Sequence, residues 1–287
     1  MELRRRDFLK VSSGAAGLFL LHPLSGLGKR PRAAADSSDM AMMVDVSKCV
    51  GCWWCYAACK QYNGLPNTVK PDPEQPPELA QDTWTTLVTP DAERFRKHAC
   101  NHCTDAACVE VCPTGALYYH DLGFVAYDSS KCSGCGYCAE ACPFGVPHLA
   151  GNKVTGISVM GKCTFCIDRV VAGEQTACSE ACPNDAIKFG KRGELLQECN
   201  ERVNNIKAEH PNASVYGDKQ LGGLHVLYVL DDKPSVYDLP DDPQVPIAAT
   251  LWQDIIQPLG WAAAVLVIGG LGMNYLVARS RIKGDHE

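Results

Sequence analysis

Sixteen of the seventeen cysteines in this 287-residue chain stand in four groups of four. They are Cys49/Cys52/Cys55/Cys59, Cys100/Cys103/Cys108/Cys112, Cys132/Cys135/Cys138/Cys142 and Cys163/Cys166/Cys178/Cys182. In the spacing C-x2-C-x2-C-x3-C, three cysteines hold one 4Fe-4S cube and the fourth reaches a second. The first and third groups have this spacing, the second is C-x2-C-x4-C-x3-C and the fourth C-x2-C-x11-C-x3-C. With one thiolate per iron, four groups of four supply four 4Fe-4S clusters. Two residues between cysteines fold a tight loop around one corner of a cube, with backbone N–H groups turned toward the sulfurs. Pro113, Pro143 and Pro183 follow the last cysteine of three groups, where a fixed φ and a missing N–H suit the exit from the loop. Lys60 takes that place in the first group.

Other uses of cysteine fit worse. A zinc site takes two C-x2-C pairs and leaves no use for a third cysteine two residues on. Disulfides among cysteines so closely spaced would close small strained rings. Cys199 recurs with Leu195, Leu196, Val203 and Ile206 at helical spacing between Glu194 and His210, which makes it a small hydrophobe on a packed face. His102 sits inside the second group, but a cube with four thiolates has no vacancy for it.

The N-terminus reads Arg4-Arg5-Arg6-Asp7-Phe8-Leu9-Lys10, followed by a weakly apolar stretch from Val11 to Leu21, the pattern of a twin-arginine export signal. Ala33-Ala34-Ala35 offers a cleavage site, so residues 1–35 are expected to leave the mature chain. Without them, 20 Lys+Arg remain against 31 Asp+Glu, a net charge of −11. Such an acidic chain gives no electrostatic case for nucleic acid as a partner.

Near the other end, Leu259 to Ala278 is a 20-residue apolar stretch with Asn274 as its one strongly polar member, long enough to cross a bilayer. A single transmembrane helix is expected over 251–278, with a tail at 279–287. Arg279, Arg281 and Lys283 follow the span, while Asp241, Asp242 and Asp254 precede it. The positive-inside rule then puts the tail in the cytoplasm and the cysteine domain on the periplasmic side of the membrane. With no histidine or carboxylate, the span neither ligates haem nor relays protons by itself. Gly269, Gly270 and Gly272 leave a smooth strip that suits a neighbouring membrane helix or lipid equally.

Between these ends the expected fold class is α+β, with two ferredoxin-like units of two cubes each in one cysteine-rich domain over 40–191. Met42–Val46, Ala116–His120, Phe124–Asp128 and Ala186–Phe189 read as short strands, and Asp121-Leu122-Gly123 as a hairpin turn joining the middle pair. A Pro-rich insertion at 61–98 reads as a loop wrapping the core. A helix over Glu194–His210, a strand over Leu224–Leu230 and a Pro/Asp-rich tether from Pro234 to Pro246 occupy 192–247. Trp53, Trp54, Phe144 and Phe165 lie beside ligands and are expected to keep water from the cubes.

The four groups, the run Lys162 to Phe189, the segment Gly222 to Leu230 and the terminal apolar helix together resemble the iron-sulfur beta subunits of molybdopterin-type oxidoreductases. Most similar is the subunit of membrane-bound respiratory formate dehydrogenase. Spacing alone leaves sequential and nested pairing of the groups open; the resemblance implies nesting. Cys49, Cys52, Cys55 and Cys182 would hold the first cube, and Cys59, Cys163, Cys166 and Cys178 the second. Cys100, Cys103, Cys108 and Cys142 would hold the third, with Cys112, Cys132, Cys135 and Cys138 on the fourth. The resemblance also implies a molybdopterin catalytic subunit that oxidises formate, a membrane cytochrome b that reduces quinone, and no catalysis by this chain itself. An export signal on the beta chain also matches the beta subunit of a nickel-iron hydrogenase in the same family, although the compact fourth group favours formate dehydrogenase. A freestanding membrane-tethered ferredoxin and a redox-inactive metal scaffold are the readings from other classes.

Overall fold

Because each ligand loop follows its own tight backbone path, the elements between the loops are short. A computed structural model describes residues 34–67, 70–72, 75–91, 93–151, 158–247, 251 and 255–284. Apart from Ala34 and Ala35, the expected export signal lies outside the described residues. The cysteines belong to one unit, and the C-terminal helix to another that is described by itself.

The cysteine unit runs β1 (Met40–Asp45), α1 (Trp54–Tyr62), β2 (Thr86–Val88), β3 (Arg96–His98), α2 (Ala107–Glu110), β4 (Leu117–Tyr119) and β5 (Val125–Tyr127). It continues through α3 (Tyr137–Ala141), β6 (His148–Gly151), β7 (Ser158–Gly161), α4 (Ile167–Val171), α5 (Ala177–Glu180), β8 (Ile187–Lys191), α6 (Arg192–Ile206), β9 (Ser214–Tyr216) and β10 (Val226–Leu230).

The main sheet has the order β8-β1-β10-β9. Met42 on β1 stands opposite Phe189 on antiparallel β8 and Val226 on parallel β10. The run Met-Ala-Met-Met-Val lacks polar alternation, as a strand covered on both faces should, and both faces are buried. Met42 and Val44 join Val226 and Tyr228 on the side of the ligand loops. Ala41 and Met43 pack with Leu227 and Val229 against α6, which presents Leu195, Cys199 and Val203 at successive four-residue steps. Full burial of one such large apolar side chain contributes about 1.5–3 kcal/mol. Cys199 is therefore a core residue, as its spacing predicts.

The strand before the first group, β1, pairs with the strand after the fourth, β8. In the same way β4, after the second group, pairs with β5, before the third, and Leu117 faces Tyr127. The turn between β4 and β5 falls at the predicted place, with Gly123 at φ 94° and the Asp39 side chain where a Cβ would stand. A sequence repeat links the two pairs. Asp45 accepts hydrogen bonds from the N–H and hydroxyl of Ser47 just before Cys49, and Asp128 does the same with Ser130 just before Cys132.

Several boundaries differ from the sequence expectation. The insertion at 61–98 is more than a loop, since β2 and β3 pair within it and set Leu87 opposite Lys97. Strands of three residues are too short to leave a readable alternation. The four-residue strands of the β6–β7 hairpin and the three-residue β9 are likewise too short to show one. Segment 192–247 lies within the sheet, because β10 sits between β1 and β9. The start of the expected tether is packed core: Tyr237 is fully buried and its carbonyl accepts from Arg96 Nε at 2.7 Å. Pairing between strands from opposite ends of a unit leaves no trace in local composition.

In the other unit, α7 spans Gln257–Gly284. Its stretch Pro258–Arg279 is long and apolar enough to cross a membrane and buries none of its apolar window. Gly269, Gly270 and Gly272 have open space where a Cβ would stand.

Candidate iron-sulfur sites

The ligand loops share one backbone device. In every group the residue before the second cysteine is left-handed: Gly51 (φ 64°), His102 (46°), Gly134 (68°) and Phe165 (60°). That conformation costs non-glycine residues roughly 1–2 kcal/mol. It aims the N–H back at the first cysteine of the group. His102 N donates to Cys100 Sγ at 3.5 Å, and Gly51, Gly134 and Phe165 direct theirs to Cys49, Cys132 and Cys163.

Beyond the fourth cysteine, the proline opens a second turn closed by left-handed Gly115, Gly145 or Asp185. The N–H groups of Val146, Phe144 and Gly145 point at Cys142, and those of Leu117, Thr114 and Ala116 at Cys112. The prolines also stop α2, α3 and α5 within two residues of the ligand. Where Lys60 replaces proline, α1 runs on through Cys59 to Tyr62, and Lys60 Nζ donates to Thr83 Oγ1 at 2.8 Å.

These loops bring thiols from distant groups together. Cys49, Cys52, Cys55 and Cys182 line one cavity, with Trp53, Leu87 and Lys97 among its walls. Cys59, Cys163, Cys166 and Cys178 line another, beside Asn63, Trp84 and Phe165. Cys112, Cys132, Cys135 and Cys138 line a third, with Tyr127 and Met160. Cys100, Cys103, Cys108 and Cys142 lie close enough to repel one another electrostatically. Successive quartets lie close enough for their thiols to repel one another: Cys55 with Cys178, Cys163 with Cys100, and Cys108 with Cys138.

Electrostatics grade the quartets from inside to outside. Burial, then the neighbouring thiols Cys163 and Cys178, pushes the Cys59 thiol up, and burial pushes Cys103 and Cys108 well above the ordinary thiol value. Cys132 moves the other way: burial opposes ionisation, but the Tyr127 hydroxyl and the N–H groups of Met160 and Gly134 outweigh it. All four thiols of the Cys59 quartet are buried, whereas Cys135 is exposed.

The donor set and its surroundings fit 4Fe-4S cubes. A single tetrahedral zinc draws its sulfurs to about 2.3 Å. Here the thiols instead line shared cavities four at a time, and among the described residues no three His, Cys, Asp or Glu side chains converge on one ion. Trp53 Nε1 and Asn101 Nδ2 are buried donors without a protein acceptor, as groups facing inorganic sulfide would be. His102 stands outside the ligand set: its Nδ1 pairs with the Val125 carbonyl at 3.0 Å and its ring packs on Phe165.

Two sequence expectations need amendment. Trp53 and Phe165 are buried, but Trp54 is 48 % exposed and cannot screen a cube. Left-handed Trp53 caps α1 and turns its neighbour outward, where the Lys70 ammonium lies 3.7 Å from the Trp54 ring centre. Lys97 and Leu87 were not singled out from the sequence, because nothing local marks a lysine in a Pro-rich insertion as buried.

Gly134 offers a direct test of the loop geometry. A Cβ there would stand 2.2 Å from the Ser158 carbonyl oxygen, on a backbone already at φ 68°. Gly134→Ala is expected to cost about 1–2 kcal/mol in backbone strain alone and to displace β7. Iron analysis should find the loss of about one cluster's iron, some four atoms. Full iron content with unchanged thermal unfolding would contradict this.

A family profile described as a 4Fe-4S dicluster domain matches residues 92–192. The formate dehydrogenase iron-sulfur subunit of Haemophilus influenzae is 35% identical over 307 residues, covering 99% of this chain and 92% of that protein. This chain belongs to the family of formate dehydrogenase iron-sulfur subunits. The nitrate-inducible formate dehydrogenase iron-sulfur subunit of Escherichia coli is 36% identical over 256 residues, 83% of this chain and 85% of that protein. Hydrogenase-2 operon protein HybA, also of Escherichia coli, is 29% identical over 345 residues, 99% of this chain and 97% of that protein. As a member of this family, the chain is a non-catalytic, electron-transfer subunit of an oxidoreductase.

Proposed function

We propose that the chain holds four 4Fe-4S clusters in a row and passes electrons singly from a molybdopterin subunit that oxidises formate to a membrane cytochrome b that reduces quinone. The electrostatic coupling of successive thiol quartets carries this reading: Cys55 with Cys178, Cys163 with Cys100 and Cys108 with Cys138 link all four in one series. Each bound cluster supplies one-electron chemistry at a potential set by its surroundings, anywhere from about −700 to +450 mV. The chain's own residues fix the spacing, direct N–H groups at sulfur and exclude water at Trp53 and Phe165.

The quartets support the nested ligand assignment: Cys49, Cys52, Cys55 with Cys182; Cys163, Cys166, Cys178 with Cys59; Cys100, Cys103, Cys108 with Cys142; and Cys132, Cys135, Cys138 with Cys112. Pairing of β1 with β8 and of β4 with β5 supports two ferredoxin-like units, one from the first and fourth groups and one from the second and third. Burial of all four thiols of the Cys59 quartet and exposure at Cys135 suit a wire whose ends meet partners. Export through the twin-arginine signal would deliver this unit folded to the periplasm, with α7 as a single-pass anchor and its basic end in the cytoplasm.

Full-length coverage by HybA favours a second reading, in which the partner is a hydrogenase. Anaerobic purification in mild detergent decides the question. Co-purification with a molybdenum-containing subunit and a haem protein is expected; nickel in place of molybdenum would select the second reading, and isolation of this chain alone with its iron would overturn both. A reporter fused after Glu287 should be active only in the cytoplasm.

A further inference from the structure

Two buried lysines lie among the quartets without a role in ligation. Lys97 lines the cavity of Cys49, Cys52, Cys55 and Cys182 and is 3% exposed. Its charge also acts on Cys163 and Cys178, so it stands at the junction of the first two quartets. Lys162 is 1% exposed, and its Nζ donates to the carbonyls of Val125 and Cys163, both at 2.9 Å. Its charge acts on Cys100, Cys108 and Cys142, which puts it at the junction of the second and third quartets. The salt bridges among the described residues leave both lysines without a carboxylate partner. Lys60, the third buried lysine, differs: it binds Thr83 Oγ1 beside Asp82.

We infer that Lys97 and Lys162 are fixed interior cations that hold the reduction potentials of the first three clusters up, leaving the cluster of Cys112, Cys132, Cys135 and Cys138 outside their influence. This rests on the four-cluster reading above. A cube held by four thiolates is anionic in both redox states and more so when reduced. A neighbouring cation therefore favours the electron-rich form, and burial away from solvent strengthens the effect. Main-chain carbonyls anchor Lys162 without neutralising it. The charges acting most on Cys138 are the thiols of its own quartet, and Lys131, beside Cys132, is exposed and paired with Asp128 at 3.1 Å.

The test is an anaerobic redox titration, followed by electron paramagnetic resonance, of the intact complex carrying Lys97→Met or Lys162→Met, with Lys97→Arg and Lys162→Arg as charge-preserving controls. Each Met variant is expected to shift the reduction equilibrium of two or three clusters at least tenfold toward the oxidised form, a fall of about 59 mV or more. At least one potential should stay in place, and the Arg variants should remain near wild type. The inference fails if no potential moves, if all four move together, or if Arg shifts them as far as Met. Iron content separates the two levels of argument: wild-type protein with far fewer than about sixteen irons sinks the four-cluster reading, whereas full iron with unmoved potentials sinks only the role of the lysines. Should Lys97→Met not assemble, Lys97→Gln and the independent Lys162 pair carry the same test.

Discussion

Cys182→Ala is expected to abolish the cluster held by Cys49, Cys52 and Cys55, although Cys182 belongs by sequence to the group of Cys163, Cys166 and Cys178. Cys182 lines the Cys49 cavity, and none of its sequence neighbours' thiols does. A cube left with three thiolates in a partly exposed cavity loses iron or the whole cluster. Iron should fall from about sixteen to about twelve atoms per chain, with the paramagnetic signal of one cluster gone and those of the Cys59 and Cys100 quartets kept. Because that cluster would end the row, electron transfer through the complex should fall by orders of magnitude while the chain still folds. Loss confined to the cluster of Cys163, Cys166 and Cys178 would refute the nested assignment.

Removing iron should cost more stability than any single substitution. Cys55, Cys100, Cys163 and Cys178 sit inside the largest apolar cluster of the unit, and three of the four helices that carry ligands, α2, α3 and α5, have only four or five residues each. Helices that short do not persist alone, since nucleation outweighs their few hydrogen bonds. In small metal-dependent domains the binding free energy, on the order of 10 kcal/mol, is folding free energy. Chelation under anaerobic conditions is therefore expected to erase the near-ultraviolet circular dichroism of the unit and the hydrogen-exchange protection of the ligand loops. Slowest exchange should remain where α6 packs on β1 and β10, because Leu195, Cys199, Val203, Leu227 and Val229 form a core free of ligands. A chelated chain that kept protection at Gly51, His102, Gly134 and Phe165 would show that the loops hold themselves.

Much of the site was legible because ligand loops are local. The intervals between cysteines dictate which thiols share a loop, the prolines mark where helices stop, and the glycines at 51 and 134 mark left-handed turns. The β4–β5 hairpin was readable from the five residues on either side of its turn for the same reason. Trp54 was misread because inward and outward positions differ by one residue at the start of α1, and left-handed Trp53 decides that phase. Lys97 was missed because its burial depends on β3 pairing with β2 across the insertion, which no local pattern announces.

Taken by itself, the sequence determined the chemistry: sixteen thiols at intervals that suit iron-sulfur cubes, one cysteine reserved for packing, and an apolar segment near the end long enough for a bilayer. Only the tertiary structure decided which thiols share a cavity, which way the aromatic rings face, and that β10 completes the sheet beside β1. Spacing constrains atoms within a loop, where the covalent chain limits reach. Contacts between loops depend on strand pairing over long separations, and that is fixed by packing of the whole unit.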